Sequence, residues 1–540
     1  MTKKGGYCMP RNTDTSMEDY FILPNQGLRS YFGNVEIGQP NIYDTPFAKG
    51  VSTKKLISEW DAVLVSIRDK WPSLYEFETD MASKVGPISV MLPLRDRMDD
   101  IEAYYKGILL PADYISESAI DATIREWSKA STLRLRSQEE TLSNMKLSTN
   151  SGNPWFTKKR NVAQDVIPLR LIPTFEGAHM QLPTWEGPAT AILGWRGQEG
   201  GYSKEDVKQR VVWMFPFAVN LSELQFYQPA IEYAQRFNIV PAWVGNHKVD
   251  EVMTRLFDTK DPNDLVVATD FTKFDQHFNS SLQGAAKEVI RARLTAGADS
   301  SSWLSTVYPI KYDIPMCYDW GKFKFGKHGM GSGSGGTNFD ETIAHRCLQY
   351  EAALKAHSRL NLNSQCLGDD GVLSYPGITV EDVVSAYTSH GLEMNETKQY
   401  ASTHDTVYLR RWHHKDYRVD GLCVGVYSTM RALGRMRYLE RFMDPEVWTA
   451  EAVELRWYSI LQNLEYHPLR EQFAQFCMKW DKYELGLKIP HFLDNLVAET
   501  KKVTDLMPGF LGWRATLNRS SENAYGIDNW WIVKYLKSKR

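Results

Sequence analysis

The sequence lacks the cysteine patterns of zinc sites and disulfide frameworks. Its six cysteines are dispersed over 540 residues, with no Cys-x-x-Cys pair and no histidine at zinc-binding spacing, which is typical of a reducing compartment. Long apolar runs are also missing: the longest, Val211 to Val219, is short and contains Pro216, so no transmembrane helix is predicted. Residues 1–16 carry charge without an apolar centre, which argues against a secretory signal.

A dominant charge of one sign is absent as well. The formal net charge is −3, from 63 Lys and Arg against 66 Asp and Glu. The net charge therefore gives no sign of a nucleic-acid partner. Binding to a nucleic acid would require a local basic patch or an enclosed channel. A hydrophobic content of 43%, with 17 Trp, excludes global disorder, and the length predicts roughly three or four domain-sized units.

Regions of different character follow one another along the chain. Residues 1 to about 50 are rich in Gly, Pro, Asn and Asp, which predicts an irregular arm. Residues 54–148 have helical spacing, residues 149–220 mix loops with strands, and the pattern after about 428 is helical again.

Two adjacent aspartates, Asp369 and Asp370, stand between half-buried strands in the stretch SQCLGDDGVLSY. The simplest interpretation is a hairpin, because Asp-Gly between alternating apolar residues is a strong hairpin signal. Another predicted strand, Leu265 to Ala268, leads into Asp270, and Asp275 follows five residues later. Taken singly, Asp270 is explained by a turn or a helix N-cap. Together, these carboxylates suit a divalent cation such as Mg²⁺, which prefers oxygen ligands.

A glycine-serine loop, GSGSGG (331–336), precedes a predicted helix near 338–357. Such a composition is typical of flexible linkers. The residues after it, however, include an apolar helix face formed by Ile343, Cys347, Leu348 and Leu354. Asn338 and Glu341 predict a capping box. We therefore expect a loop docked at a helix N-terminus, where glycine N–H groups can approach a phosphate closely.

In these three segments the chain resembles the viral RNA-dependent RNA polymerases, in the style of the picobirnavirus enzymes and next of the partitivirus enzymes. The matches to the family's motifs A, B and C are Asp270 and Asp275; Ser332, Gly333, Ser334, Thr337 and Asn338; and Gly368, Asp369 and Asp370. The weaker matches to motifs G, F, D and E are Thr149, Gly152 and Pro154; Lys204, Lys208 and Arg210; Lys398; and Arg410 and Arg411. The resemblance covers about 149 to 412.

The resemblance implies a two-metal nucleotidyl transfer. Asp270 and Asp369 would bind two Mg²⁺ ions, with Mn²⁺ as an alternative, and Asp370 and the Phe271 carbonyl would support them. The primer 3′-hydroxyl would attack the α-phosphorus of a nucleoside triphosphate, and Lys398 would protonate the leaving pyrophosphate. An ordinary surface lysine is the alternative for Lys398.

The resemblance also implies binding roles. Asp275 would accept the ribose 2′-hydroxyl. The other residues expected to bind the nucleotide are Lys204, Lys208, Arg210, Ser332, Thr337 and Asn338. Those expected to bind template or primer are Thr149, Gly152, Pro154, Gly333, Ser334, Arg410 and Arg411. A solvated charged face is the alternative for the lysines of motif F.

One position departs from many single-stranded RNA virus relatives. They have Asn four residues after the motif-B threonine, where it helps to read the 2′-hydroxyl, and here that position is Glu341. An ionised carboxylate cannot donate the same hydrogen bond. The sequence leaves open whether Asn338 takes over or Asp275 acts with the hydroxyls alone.

The fold implied is α+β: a right hand of fingers, palm and thumb, with fingers and thumb closed on each other, an antiparallel palm sheet and a largely helical thumb. The expected ranges are 1–105 for an N-terminal region bridging fingers and thumb, 106–245 and 280–328 for the fingers, 246–279 and 329–427 for the palm, and 428–540 for the thumb and C-terminal tail. In the tail, Trp530 to Arg540 is compatible with a packed helix and equally with a segment that contacts RNA or plugs the exit.

The implied partners are RNA template and product, nucleoside triphosphates and a viral capsid protein. The enzyme would be a monomer without a membrane role, in the virion interior and the host cytoplasm, replicating and transcribing a segmented double-stranded RNA genome.

Two other functions are considered. A reverse transcriptase shares the palm but usually has an aromatic steric gate where this chain has Asp275, and an aromatic residue or alanine where it has Gly368. A non-enzymatic RNA-binding or capsid-associated protein predicts dense basic patches with interleaved aromatics, which a net charge of −3 does not favour.

Overall fold

A computed structural model describes residues 12–14, 16–506 and 524–540 of the chain. The α-helices are α1 (Gln26–Ile37), α2 (Thr53–Leu64), α3 (Pro72–Lys84), α4 (Met98–Lys106), α5 (Glu117–Trp127), α6 (Gln138–Ser143), α7 (Phe217–Arg236), α8 (Pro241–Val244), α9 (Asn246–Thr259), α10 (Ser280–Arg293), α11 (Ala298–Thr306), α12 (Thr337–Lys355), α13 (Val380–Thr388), α14 (Thr429–Arg437), α15 (Ala450–Gln462), α16 (Arg470–Trp480), α17 (Leu496–Leu506) and α18 (Trp531–Lys537). The strands are β1 (Asn12–Asp14), β2 (Arg170–Thr174), β3 (Gly177–Gln181), β4 (Glu186–Pro188), β5 (Ala191–Gln198), β6 (Lys208–Met214), β7 (Val266–Thr269), β8 (Met316–Asp319), β9 (Lys322–Lys324), β10 (Gln365–Leu367), β11 (Asp370–Leu373), β12 (Tyr400–Ser402), β13 (Asp405–Tyr408), β14 (Arg411–His414) and β15 (Val426–Tyr427).

The strands form four sheets. A five-stranded sheet has the order β1-β9-β8-β5-β6, and a three-stranded sheet has the order β2-β3-β4. A four-stranded sheet has the order β10-β11-β7-β12, and β13-β14-β15 form another small sheet. The four-stranded sheet is antiparallel throughout, as expected for a palm.

Strand β7 lies inside the four-stranded sheet, between β11 and β12. Its β-branched residues Val266 and Val267 have no exposed surface, which suits a strand covered on both faces. Val267 shares an apolar core with Ile343 and Cys347 of α12. Helix α12 and β7 are thus held together, and the carboxyl end of β7 leads directly to Asp270.

Three sequence predictions about helices are wrong in detail. Helix α12 begins after Gly336 without a side-chain cap, because the Asn338 Oδ1 accepts a hydrogen bond from the Trp243 indole N–H at 2.8 Å instead of capping the helix. Leu354, assigned to the apolar face, is 42% exposed. The N-terminal arm is not wholly irregular, since α1 forms there with Asn25 as its N-cap.

The N-terminal region contributes to two separate cores. Tyr20, Phe21 and Phe32 pack in a core that includes residues of β5, β8 and β9. Leu56 and Trp60, on α2, pack instead in a core formed largely by helices α14 to α18. The region between residues 17 and 64 therefore connects the five-stranded sheet to the C-terminal helices.

The last helix, α18, is packed into the protein. Ile532, Val533 and Leu536 have no exposed surface and belong to the same core as α15. The packed-helix interpretation of the C-terminal end is confirmed. Within the described ranges, no helix is both long enough and apolar enough to cross a bilayer.

Candidate active site

The Gly-Asp-Asp triplet lies at the tip of the β10–β11 hairpin. Leu367 pairs with Asp370, so the turn consists of Gly368 and Asp369. The φ angle of Gly368 is +58°, and a two-residue hairpin turn favours glycine where φ is positive. Asp369 is therefore exposed at the tip of the hairpin, and Asp370 is the first residue of β11.

The end of β7 lies beside this tip. Gly371 of β11 pairs with Thr269 of β7. Extending the antiparallel register by one residue places Asp370 opposite Asp270, with Cα atoms about 5 Å apart. Asp270 from motif A and the two aspartates of motif C are thus brought to one edge of the sheet, as predicted.

Helix α12 holds the turn through its backbone. The Thr342 Oγ1 accepts a hydrogen bond from the Gly368 N–H at 2.9 Å, and the His345 Nδ1 donates to the Gly368 carbonyl at 2.8 Å. Burial lowers the pKa of His345 to about 4, so the ring is neutral near pH 7. The side chains of Thr342 and His345 were not predicted, although their i,i+3 spacing places them on one face of the helix.

The backbone of Asp270 is held in a similar way. The Gln399 amide accepts from the Asp270 N–H at 2.7 Å and donates to the Asp270 carbonyl at 2.8 Å. The neighbouring Phe271 ring stacks on Tyr387 at 5.8 Å between ring centroids. These contacts fix the direction of the chain where it leaves β7, and sequence reasoning did not identify Gln399.

Burial and mutual repulsion raise the pKa values of two carboxyl groups at this edge. Burial and the charge of Asp369 raise the pKa of Asp370 to about 7, even though Asp370 accepts a hydrogen bond from the Leu409 N–H at 2.8 Å. Desolvation and the charge of Asp275 likewise raise the pKa of Asp369. Within the described part of the chain, no three His, Cys, Asp or Glu side chains form a ready-made metal cage. The donor set is an open one, which fits a Mg²⁺ ion that takes one or two carboxylates and completes its shell with water and phosphates.

A cavity of about 560 Å³ adjoins this edge. Asp270 and Asp370 line this cavity, and the cationic side chains that also line it include Lys208, Lys398 and Arg410. Motifs A, C, D, E and F therefore meet around one space.

Two arginines of α14 add to the cationic wall and were not predicted. Arg431 and Arg435 line the cavity, and Arg431 forms an ion pair with Glu199, which lies 3.6 Å from Arg410. Burial and the nearby charges of Arg435 and Arg196 lower the pKa of Arg431 to about 9. Guanidinium groups crowded in this way favour an anionic ligand.

The glycine-serine loop is docked as predicted, but its glycines serve packing within the protein. A Cβ added to Gly333 would lie 1.7 Å from the Trp213 carbonyl oxygen of β6. The Ser332 Oγ accepts from the Trp213 N–H at 3.1 Å, and the Ser334 hydroxyl donates to the buried Glu223 carboxylate. The Thr337 hydroxyl donates to carbonyls of its own loop, at 3.2 to 3.3 Å.

The adjacent arginines of motif E face different surroundings. Leu409 and Arg410 form the turn of the β13–β14 hairpin, with φ angles of 52° and 61°. Arg410 lines the cavity. Arg411 is 6% exposed and forms a bidentate ion pair with Asp250, at 2.9 and 3.1 Å. A primer contact for Arg411 is incompatible with this buried ion pair, so that expectation is corrected.

The other predicted residues of motifs F and G have different surroundings. Lys204 is exposed on a short helix. The positive charge of Arg210, on β6, partly offsets the rise in the pKa of Asp369. Thr149 is exposed and accepts a hydrogen bond from the Lys159 ammonium at 2.8 Å. Gly152 and Pro154 are buried, and a Cβ on Gly152 would lie 2.6 Å from the Phe215 carbonyl oxygen.

Comparisons with known proteins agree with this geometry. Residues 202–462 match the family described as "Viral RNA-dependent RNA polymerase". The chain is 55% identical over 525 residues to the "Potential RNA-dependent RNA polymerase" of Human picobirnavirus (strain Human/Thailand/Hy005102), covering 96% of this chain and 98% of that protein.

Two crystal structures are also similar. One is the RNA-dependent RNA polymerase of a human picobirnavirus, with a TM-score of 0.92 and 55% identity, and the other is its insertion loop deletion mutant, with a TM-score of 0.91 and 54% identity. Each comparison covers 97% of this chain and 98% of the other.

These matches decide against the reverse transcriptase and against the non-enzymatic protein. Polymerases of this family bind RNA and nucleotides and generally use divalent metal ions. On its sequence, its fold and the arrangement of its motifs, the chain belongs to the viral RNA-dependent RNA polymerases and is an enzyme of that class.

Proposed function

We propose that this polymerase replicates and transcribes a segmented double-stranded RNA genome by two-metal transfer of nucleotides to an RNA 3′-hydroxyl. The observation that carries the proposal is the cavity that Asp270 and Asp370 line together with Lys208 and Arg410. A nucleoside triphosphate suits such a cavity. The aspartates would bind its phosphates through metal ions, and the cationic side chains would bind the remaining phosphate oxygens directly. The likeness to the potential RNA-dependent RNA polymerase of a human picobirnavirus supports RNA synthesis on an RNA template, and the genome type is what the family resemblance implies.

The acidic edge suits two Mg²⁺ ions, with Mn²⁺ as an alternative. Asp270 and Asp369 would hold them, with the Phe271 carbonyl as a further oxygen ligand. Asp370 already accepts the Leu409 N–H, which supports a secondary role. When bound, the ions would acidify the primer 3′-hydroxyl and neutralise the leaving pyrophosphate. The raised pKa values of Asp369 and Asp370, caused first by burial and then by repulsion from a neighbouring carboxylate, support this assignment, because bound cations would stabilise the ionised form of both groups.

The cationic wall would bind the triphosphate. Arg210, Lys208 and Arg410 are the principal candidates, since a guanidinium binds phosphate oxygens in a bidentate manner. Lys204 would add long-range attraction from its exposed position. Lys398 lines the same cavity, from which it would protonate pyrophosphate. Near the sugar, Asp275 and Asn338 would bind the ribose, and Ser332 and Thr337 would shape the loop behind it.

The chain would form a closed right hand. The fingers would comprise 106–245 and 280–328, the palm 246–279 and 329–427, and the thumb 428–540, with residues 1–105 as the bridge. The bridge is supported by Phe32 and Trp60, which pack in different cores. Closure is further supported by the ion pair between Arg196 of β5 and Glu440, at 2.7 Å. Thr149, Gly152 and Pro154 would border the template entrance, with Gly333 and Ser334 behind the template.

We also propose the surroundings in which the enzyme acts. It would work as a monomer in the virion interior, associated with a capsid protein, and in the host cytoplasm. The resemblance to picobirnavirus polymerases supports these assignments.

The test is nucleotide incorporation on a single-stranded RNA template with Mg²⁺, with and without an annealed primer. Template-length product from ribonucleotides is expected from the unmodified chain and not from Asp369→Ala or Asp369→Asn. Glu381→Gln, an exposed carboxylate on α13, is the matched control and should retain activity. Incorporation that survives in both Asp369 variants would overturn the assignment of the Gly-Asp-Asp turn as the metal site.

A further inference from the structure

The proposed function does not use one buried carboxyl group beside the site. Glu341 on α12 is only 6% exposed, and its Oε1 has no hydrogen-bond partner among the described residues. A carboxyl in such a place is costly unless a partner or a ligand satisfies it. Glu341 therefore requires an explanation beyond packing.

The Glu341 side chain points to the Gly-Asp-Asp turn. Its Oε2 lies 3.5 Å from the position that a Cβ on Gly368 would occupy, and the Asn338 Nδ2 lies 3.7 Å from the same point. The Asn338 orientation is fixed, because its Oδ1 accepts the Trp243 indole N–H. The N–H donors of Asn338 and the carboxyl oxygens of Glu341 therefore both lie near Gly368, where the Gly-Asp-Asp turn begins.

Asp275 completes the group. Its backbone carbonyl accepts a hydrogen bond from the Met330 N–H at 2.8 Å, which ties it to the glycine-serine loop. The Glu341 carboxyl is hydrogen-bonded to that of Asp275, and burial, the negative charge of Asp275 and this hydrogen bond together raise the pKa of Glu341 well above its usual range. One proton shared between the two groups would remove their repulsion and leave oxygens of Asp275 as acceptors.

We propose that Glu341 is a positioning residue for sugar selection: its buried carboxyl donates a hydrogen bond to the Asp275 carboxylate and aims it at the 2′-hydroxyl of the incoming nucleotide. This inference rests on the proposed function, since it assigns a ribonucleotide to the site. Asn338 contributes the neighbouring donor, so that acceptor and donor meet the hydroxyl from two sides. A 2′-deoxyribonucleotide would leave both groups unsatisfied, and sites built around a substrate hydroxyl reject the analogue that lacks it.

The test compares two substitutions of nearly equal volume. Glu341→Gln keeps a donor to Asp275, whereas Glu341→Met does not, and Glu341→Leu is a second apolar variant in case the methionine chain does not fold. Glu351→Gln, a buried carboxyl on the same helix away from the turn, is the control. The measurement is kcat and KM for a ribonucleotide and its 2′-deoxy analogue on a primed RNA template.

Discrimination between the two sugars should fall by about 10- to 100-fold in the apolar variants, through a lower kcat/KM for the ribonucleotide. Glu341→Gln and Glu351→Gln should discriminate as the unmodified chain does. Equal discrimination in the Gln and Met variants would overturn the inference while leaving the polymerase assignment intact. Failure of the unmodified chain to incorporate any nucleotide would overturn the proposed function, and the inference with it.

Discussion

His345 donates its Nδ1–H to the carbonyl oxygen of Gly368 over 2.8 Å. Through this bond a neutral, fully buried ring on α12 supports the turn that carries the motif-C aspartates. The ring also fills the space beside Gly371, where a Cβ would lie 2.5 Å from the His345 Cε1. Helix α12 therefore packs closely against the β10–β11 hairpin at Gly368 and Gly371.

Replacing His345 by Asn should change the pH dependence of stability. In the folded chain the His345 pKa is about 4, below the usual value, so the unfolded chain takes up a proton first as the pH falls. The stabilisation by neutral His345 is complete above about pH 6.5 and is lost towards pH 4. Between pH 7 and pH 5 the free energy of unfolding should fall by about 2 kcal/mol more in the unmodified chain than in the variant. Urea titrations at both pH values measure this, and equal changes in the two proteins would contradict it.

Replacing Thr342 by Val should loosen the turn from its other side. The Gly368 N–H would lose its acceptor and remain buried, at a cost of about 1–3 kcal/mol. We expect a lower rate of nucleotide incorporation as well, because the tip carries Asp369. Thr342→Ser retains the hydroxyl and is the control. If the Val and Ser variants polymerise equally well, the bond does not position the turn.

The two arginines of motif E should respond differently to substitution by Met. Arg411→Met leaves Asp250 buried without its partner and should destabilise the fold by about 3–5 kcal/mol. Arg410→Met should leave the thermal midpoint nearly unchanged but raise KM for the nucleoside triphosphate, because Arg410 lines the cavity. Melting curves and steady-state kinetics on both variants test this difference. An Arg411→Met variant with a changed KM and an unchanged thermal midpoint would contradict the prediction.

Gly333→Ala should displace the glycine-serine loop from β6. The added methyl would meet the Trp213 carbonyl oxygen at 1.7 Å, and overpacking of this kind costs about 1–3 kcal/mol. Gly284→Ala on α10 is the matched control, since nothing lies within 4 Å of its added Cβ. A helical Gly-to-Ala change of that kind stabilises by about 0.5–1 kcal/mol. The midpoint of thermal unfolding should therefore fall in Gly333→Ala and rise in Gly284→Ala. An unchanged midpoint in Gly333→Ala would show that the loop can move away from β6.

Local patterning predicted the elements that carry the site, and contacts between distant segments account for most of what it missed. Strand β7, the Gly-Asp-Asp hairpin and α12 depend on short-range alternation, turn residues and helical periodicity. Arg431 reaches the cavity only because α14 packs near Glu199, more than 200 positions away in sequence, and no periodicity indicates that contact.

The motif-E hairpin shows why adjacent residues can be assigned wrongly. Leu409 and Arg410 form its turn with positive φ, although neither is a residue type that favours such angles. The turn signal is therefore absent from the sequence, and so is the information that Arg411 begins a strand. Arg410 belongs to the turn and Arg411 is the first residue of β14, so the two adjacent side chains have different surroundings.

The packing of α2 against the C-terminal helices has a consequence for synthesis on the ribosome. Leu56 and Trp60 emerge early, but their partners, such as Trp457 and Ile532, emerge about 400 or more residues later. At 5–20 residues per second this delay amounts to roughly 20–80 seconds. During that time an apolar helix face has no native partner, so the nascent chain offers a binding surface to chaperones that the finished enzyme conceals.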